Sequence, residues 1–181
     1  LQLAAATGAQ TDRMTRDHGW RLLTVGRLLE RLQGLCARLE RFTASGALSV
    51  SSSVELLLDL FDSAITFRAR YQRHDDLMAL TELLVIDNAN PRALAGVLRR
   101  LRTELRKLPG DAAWHDQLLG RLPVEGAGLV LEALDGLGER ETMDLLRGRA
   151  ASLGASASAL ADDISHRYFT LPGGADEARL V

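Results

Sequence analysis

The 181 residues carry 22 basic against 24 acidic side chains, a net charge of −2, and 46% of them are apolar while only 4% are aromatic. Near-balanced charge argues against the basic footprint of a duplex-binding domain, and an apolar share dominated by leucine and alanine favours helices over a sandwich or barrel. Cys36 is the one cysteine, which excludes an internal disulfide and a Cys-rich zinc site, and His18, His74, His115 and His166 form no HExxH pattern, so no metal site is expected.

The length suits one domain with a sizeable core. Lys107 is the sole lysine among the 22 basic residues, so Arg chemistry dominates every cationic position. Residues 1–10, LQLAAATGAQ, show no periodicity and are expected to be a flexible start or linker. The helical bundle is expected over 11–170, with no membrane span, because no run of about eighteen apolar residues occurs. With no charged-then-apolar leader either, a cytoplasmic chain is expected.

From Thr11 to Thr43, Leu22, Val25, Leu29, Leu32, Cys36 and Leu39 alternate spacings of three and four, and Leu28, Leu35 and Phe42 add a second row. That apolar face is too wide for a two-stranded seam and predicts a helix inside a bundle. TASGALSVSSS, 43–53, breaks the pattern, and one of its serines can cap the next helix. A second helix is predicted from Val54 to Arg73 and a third from Leu77 to Ile86. In DNANPRAL, 87–94, Asn90 is placed to cap a fourth helix opening at Pro91 and running to Lys107, stopped by LPGD at 108–111. Residues 113–137 read as two short helices broken at RLPVEG, and 139–170 as a long helix with an Ala- and Ser-rich middle. LPGGADEARLV, 171–181, reads as a flexible tail. The fold class predicted is all-α, a bundle of five to seven mostly antiparallel helices joined by short connections.

Glu30 interrupts this picture, because Gly26, Gln33, Gly34 and Ala37 surround it on the helix surface. A helical glycine costs about 1 kcal/mol relative to alanine, so two beside one glutamate imply close backbone approach or room for something bulky and polar. A buried carboxylate needs a paired, hydrogen-bonded partner, for which arginine's planar fork is best suited. Arg27 and Arg31 flank it, and Arg68 and Arg70 could reach it from the next helix. The expected candidate cluster is Arg27, Glu30, Arg31, Arg68, Arg70 and Tyr71, with Asn90 and Arg92 at the capped turn. Its reading as an internal ion-pair network stands beside two others: an anion or substrate pocket, or a solvated face. No catalytic residue is assigned. Ser63 and Thr66 have no His or Lys at helical spacing to act as base, and ISHRYF at 164–169 reads as an amphipathic helix end.

GWRLLTVGRLLERL at 19–32, SAITFRARY at 63–71 with LLVIDNANPRAL at 83–94, and ISHRYF at 164–169, in that order, resemble the alpha-E domain, an all-helical bacterial family marked by a Glu-Arg motif, here Glu30-Arg31. The resemblance spans essentially the whole chain. Family members commonly carry two Glu-Arg helices, so with one recognised here the chain is expected to be the C-terminal part of a longer domain. Members are fused to, or encoded beside, circularly permuted ATP-grasp ligase domains, and often neighbour transglutaminase-like proteases. The resemblance therefore implies a non-catalytic accessory domain that supports ATP-dependent peptide or amino-acid ligation, by docking against the ligase or presenting substrate. It implies no cofactor in this chain, with ATP and Mg held only by the partner. Two alternatives accompany that expectation: an enzyme or anion-binding domain using the Arg/Glu cluster, with Glu30 as general base, or a homo-oligomeric bundle if an apolar patch stays exposed.

Overall fold

The computed structural model describes residues 8, 13–45, 51–71, 77–124 and 131–170. Among these the chain is all-α, with no strand. In chain order the helices are α1 (His18–Ala44), α2 (Ser51–Leu60), α3 (Ala64–Tyr71), α4 (Leu77–Thr81), α5 (Leu94–Leu105), α6 (Ala112–Gly120) and α7 (Glu139–Phe169); a π-helical turn, Glu82–Ile86, continues α4, and a 3-10 turn covers Leu131–Leu134.

Two long helices form the spine. α1 has 27 residues and α7 has 31, roughly 40 and 46 Å at 1.5 Å per residue. The buried residues of α7, Thr142, Leu146, Ala150, Leu153, Ala157, Leu160 and Ile164, step by three and four, and they meet the Val25, Leu28, Leu29, Leu32, Leu35, Cys36 and Leu39 face of α1. The helices run antiparallel: Gln33 Nε2 donates to Ser158 Oγ at 3.1 Å, Gly154 lies beside Cys36 and Glu40, and Phe169 stands near Gly19 and Leu22. Gly154 and the fully buried Ala157 explain the Ala- and Ser-rich middle of α7, since small side chains let α1 come close. α1 also packs on α5, whose Leu94, Val97, Leu98, Leu101 and Leu105 are buried.

Helix starts follow local capping chemistry. The Asp17 carboxylate accepts from the Trp20 N–H at 3.0 Å, so α1 begins at His18, and Asp111 accepts from the Trp114 N–H at 2.8 Å to open α6. The helix expected from Val54 to Arg73 is instead two. Asp62 adopts a left-handed conformation with φ of 52°, its N–H donates to Asp59 O at 2.9 Å, and the Ser63 N–H donates to Leu58 O at 2.8 Å. This pair of bonds is a Schellman closure that ends α2, formed with aspartate where glycine is usual. Apolar spacing runs through the break without registering it. Of the remaining expectations, the segments 1–7, 9–12, 46–50, 72–76, 125–130 and 171–181, with the serine cap, His74 and the tail, lie outside the described residues.

The fourth helix starts at Leu94, three residues later than Pro91. Residues 90–93 form a turn closed by the Ala93 N–H donating to Asn90 O at 3.1 Å, and extended Ala93 is the residue preceding the helix. The turn lies directly on Gly96: a Cβ there would sit 1.9 Å from the Asn90 carbonyl oxygen, a distance no van der Waals contact allows. Alanine should raise helix stability by about 1 kcal/mol on propensity alone, but backbone displacement of a packed turn costs more, typically 1–3 kcal/mol or above. Gly96→Ala is therefore expected to lower the thermal midpoint, whereas Gly26→Ala, where a Cβ meets nothing within 4 Å, should raise it by up to about 1 kcal/mol in stability. Thermal unfolding of the two variants side by side checks the contrast, and equal behaviour would contradict the close approach at Gly96.

Candidate functional site

Glu30 is exposed, as is Arg31, and Arg27 is half-buried. This corrects the expectation of a carboxylate sealed inside the bundle. At about 100° per residue, Glu30 points away from Val25 and Leu32, which are fully buried against the neighbouring helices. The glycines also act differently from a close-approach stripe: no atom lies within 4 Å of a Cβ built on Gly26, and Gly34 would meet only the end of the Arg38 side chain. What they leave is space. Between α1 and the last turns of α7 lies a groove of about 560 Å3, lined by Gly19, Leu22, Leu23, Gly26, Leu29, Ala161, Ile164, Ser165 and Phe169, with Arg27, Glu30 and Gln33 along it. Its walls are mostly apolar, and Phe169 is 69% exposed.

The last turns of α7 are held so that they can form this wall. Ile164 is buried in the core. The Tyr168 hydroxyl donates to Pro109 O and accepts from Trp114 Nε1 at 3.0 Å, while the Arg167 guanidinium lies 4.5 Å over the Trp114 ring. These contacts tie the helix end to the 108–111 loop and α6, leaving Ser165 and Phe169 facing the groove. His166 is exposed, its carbonyl accepting from Thr170 Oγ1 at 2.5 Å.

The other predicted residues gather elsewhere. Arg70 Nη1 meets Asp87 Oδ2 at 2.5 Å, Asp87 Oδ1 accepts from the N–H groups of Ala89 at 2.8 Å and Asn90 at 3.2 Å, and Asn90 bridges onward. Its Nδ2 donates to Leu83 O at 3.0 Å, and its Oδ1 accepts from the Arg92 N–H at 3.0 Å. Arg92 Nε reaches Asp62 Oδ2 at 2.9 Å, and the Tyr71 hydroxyl is influenced by the neighbouring Glu82 and Arg70 side chains. Arg68 stands apart against Glu55 at 3.8 Å, both exposed. So Arg70, Tyr71, Asn90 and Arg92 converge, joined by Asp62, Glu82 and Asp87, while Arg27, Glu30 and Arg31 belong to the separate α1–α7 groove. Arg68 pairs with Glu55 and Arg70 with Asp87 rather than with Glu30.

The Asp87 cluster is a self-satisfied scaffold. The π-helical turn, closed by the Asp87 N–H donating to Glu82 O at 2.8 Å, leaves the Leu83 carbonyl to the Asn90 amide, which accounts for Asn90 being buried. Burial pushes the Asp87 carboxyl up, but the Arg70 guanidinium and the two backbone N–H groups hold it below the usual carboxylate range. Burial, then the hydrogen bond with Glu82, pushes the Tyr71 hydroxyl up. Cys36 is buried in the α1–α7 seam, and its thiol is pushed up to about 12 by burial and by Glu40, far from the thiolate a nucleophile needs. Ser63 is buried with its hydroxyl donating to Phe61 O at 3.1 Å. Among the described residues, no three His, Cys, Asp or Glu side chains gather as a metal would require, and no helix is long and apolar enough to cross a membrane.

A family model described as "a predicted alpha-helical domain with a conserved ER motif" matches residues 1–169. The chain belongs to the Alpha-E family. Uncharacterized proteins of Mycobacterium tuberculosis (strains H37Rv and CDC 1551) and Mycobacterium bovis are each 30% identical to it over 177 residues. The match takes in 93% of this chain but 20% of each relative, so the Alpha-E chain spans about a fifth of their length. No solved structure matches it. Glu-Arg stands at 30–31, 40–41 and 139–140 in this Alpha-E sequence, on both long helices. Of the three glutamates, Glu30 is the one that borders the groove.

What sequence reasoning did not name are Gly19, Ser165 and Phe169 in the groove, and Asp62, Glu82 and Asp87 in the scaffold. The signals were present: ISHRYF puts Ile164 and Tyr168 four apart on one face and Ser165 and Phe169 four apart on the next, and Asp87 sits where an Asx side chain closes a turn.

Two outcomes are expected. Glu30→Ala, at an exposed position, should leave unfolding within about 0.5 kcal/mol of the parent; a marked loss of stability would instead reveal an internal role. For Asp87, the lowered folded pKa means a stabilising contribution that is present above the unfolded value of about 3.9 and lost as pH falls through the folded value. Thermal midpoints measured from about pH 5 downward should thus fall less steeply in Asp87→Asn than in the parent, with the variant already less stable at neutral pH. Parallel curves would count against the Arg70 pairing as the source of the shift.

Proposed function

We propose that this Alpha-E chain is a non-catalytic helical domain that docks, through the α1–α7 groove, against an ATP-grasp-type ligase that joins amino acids or peptides, acting in support of that reaction. The observation that carries the reading is the groove itself: an open apolar trough of about 560 Å3 with Glu30 of the Glu-Arg motif, Arg27 and Gln33 along it and an exposed aromatic ring at one end. Apolar walls with a few convergent polar groups suit a partner's anchoring side chains. The relatives support it further, because four-fifths of their length lies outside the matched stretch, ample for a second domain. On this reading ATP and Mg belong to the partner, and this chain contributes surface and orientation, with Glu30 and Arg27 fixing the register of the docked segment by hydrogen bonds.

The test is co-purification of the chain with an ATP-grasp-type ligase encoded with it, followed by ligase turnover. Phe169→Asp and Gly26→Trp should each weaken the complex at least tenfold, about 1.4 kcal/mol, and lower turnover while leaving the thermal midpoint of the free chain nearly unchanged. A complex that forms equally well with both variants, or a chain that never associates with the ligase, would overturn the proposal.

A further inference from the structure

A second concavity, made by neither α1 nor α7, lies between α5, the 87–93 turn and the segment after α6. It holds about 540 Å3, and its lining includes Asn88, Leu98, Arg99, Arg102, Arg106 and Val124. Arg99, Arg102 and Arg106 follow one another at three and four residues and so share one stripe of α5, spanning about 10 Å along the axis. No carboxylate lines the concavity among the described residues. Of the acids adjacent in sequence to lining residues, Glu104 accepts through Oε1 from Lys107 Nζ at 2.8 Å while its Oε2 is buried without a partner, Asp87 is held by Arg70 and by the Ala89 and Asn90 N–H groups, and Glu125, which follows Val124, lies outside the described residues.

Arg102 is fixed without being neutralised. Its Nη1 donates to three carbonyl oxygens at the end of α6, those of Leu119 at 3.1 Å, Leu122 at 3.1 Å and Pro123 at 3.2 Å. These orient the guanidinium and satisfy a helix C-terminus, while its Nε and Nη2 hydrogens are not used by these bonds. Arg106 is anchored similarly, Nη1 donating to Arg102 O at 3.3 Å. Burial, then the charge of Arg106, pushes the Arg102 guanidinium down from its ordinary value, so like charges stand together at a cost that a bound anion would offset.

We infer that this arginine-lined concavity binds a small molecule carrying two or more linked phosphoryl groups, gripped by Arg99, Arg102 and Arg106. Guanidinium forks match phosphoryl oxygens bidentately, and a stripe about 10 Å long offers successive donors to a di- or triphosphate chain, whereas a single carboxylate would engage one fork. The volume is that of a small-molecule site. The inference is independent of the docking reading, since it uses other elements and is measured on the chain without a ligase.

Calorimetric titration of the 181-residue chain with sodium pyrophosphate, at ionic strength held constant with NaCl, should give saturable one-to-one binding. Arg99→Gln combined with Arg106→Gln, both exposed positions, should weaken it at least tenfold without lowering the ligand-free thermal midpoint. Arg100→Gln, off the stripe, should leave it intact. Pyrophosphate that binds the double variant as tightly as the parent, citrate that binds the parent as tightly as pyrophosphate, or no saturable heat at all would each overturn the assignment.

Discussion

The antiparallel contact between α1 and α7 is the constraint on which the rest of the molecule rests. It brings residues more than a hundred positions apart into register, and it is built almost wholly from aliphatic and small side chains. Each fully buried leucine in such a seam contributes about 1.5–3 kcal/mol, whereas exposed ion pairs such as Arg147–Asp144 or Arg68–Glu55 contribute about 0–1 kcal/mol. Apolar burial therefore decides the architecture. The charges that remain are available for local geometry and recognition, and Glu30 is one of these.

The same seam dictates where the groove can be. A helix pair packed at close range has two flanks, and one flank of α1 carries Gly19 and Gly26 while α7 ends there in Ser165 and Phe169. Glycine at 26 forgoes about 1 kcal/mol of helix propensity and makes no contact that would return it. A position that is costly for the fold and vacant in it is what an open binding surface looks like in energetic terms. Tyr168 and Arg167 secure the opposite side of the same helix end on Trp114, so the wall carrying Phe169 is rigidly based even though its ring is exposed.

Legibility in the sequence followed the physics of each feature. The three-and-four pattern marks α7 to its ends and α1 to its C-terminal end, because periodicity reports burial directly; the start expected at Thr11 is corrected to His18, where the Asp17 cap opens the helix. Breaks made by backbone conformation could not: Asp62 in the left-handed region and the turn that sets Ala93 before α5 leave the apolar spacing undisturbed. The candidate cluster failed as one site for a related reason. Helical spacing shows which residues share a face of their own helix, but not which helix comes opposite, and α1 faces α7 and α5 where α3 had been expected. The segments quoted for their resemblance do meet in space, yet in two pairs: 19–32 with 164–169 across the groove, and 63–71 with 83–94 through Arg70 and Asp87.

That pairing separates two kinds of polar residue that look alike in a sequence. Around Asp87 the polar side chains close on one another and on the backbone, Arg70 on Asp87, Asn90 on the Leu83 carbonyl and Arg92 on Asp62, and Gly96 is required so that the turn can lie against α5. Such a cluster fixes a backbone path. Along α1 the polar groups instead border a vacant trough, and along α5 the arginines are oriented by carbonyls that do not neutralise them. Polar groups closed on one another hold structure together, whereas those that border empty space also present a surface to it. By that criterion the turn-like stretch DNANPR is scaffold, and the vacant surfaces lie on the helix flanks beside it.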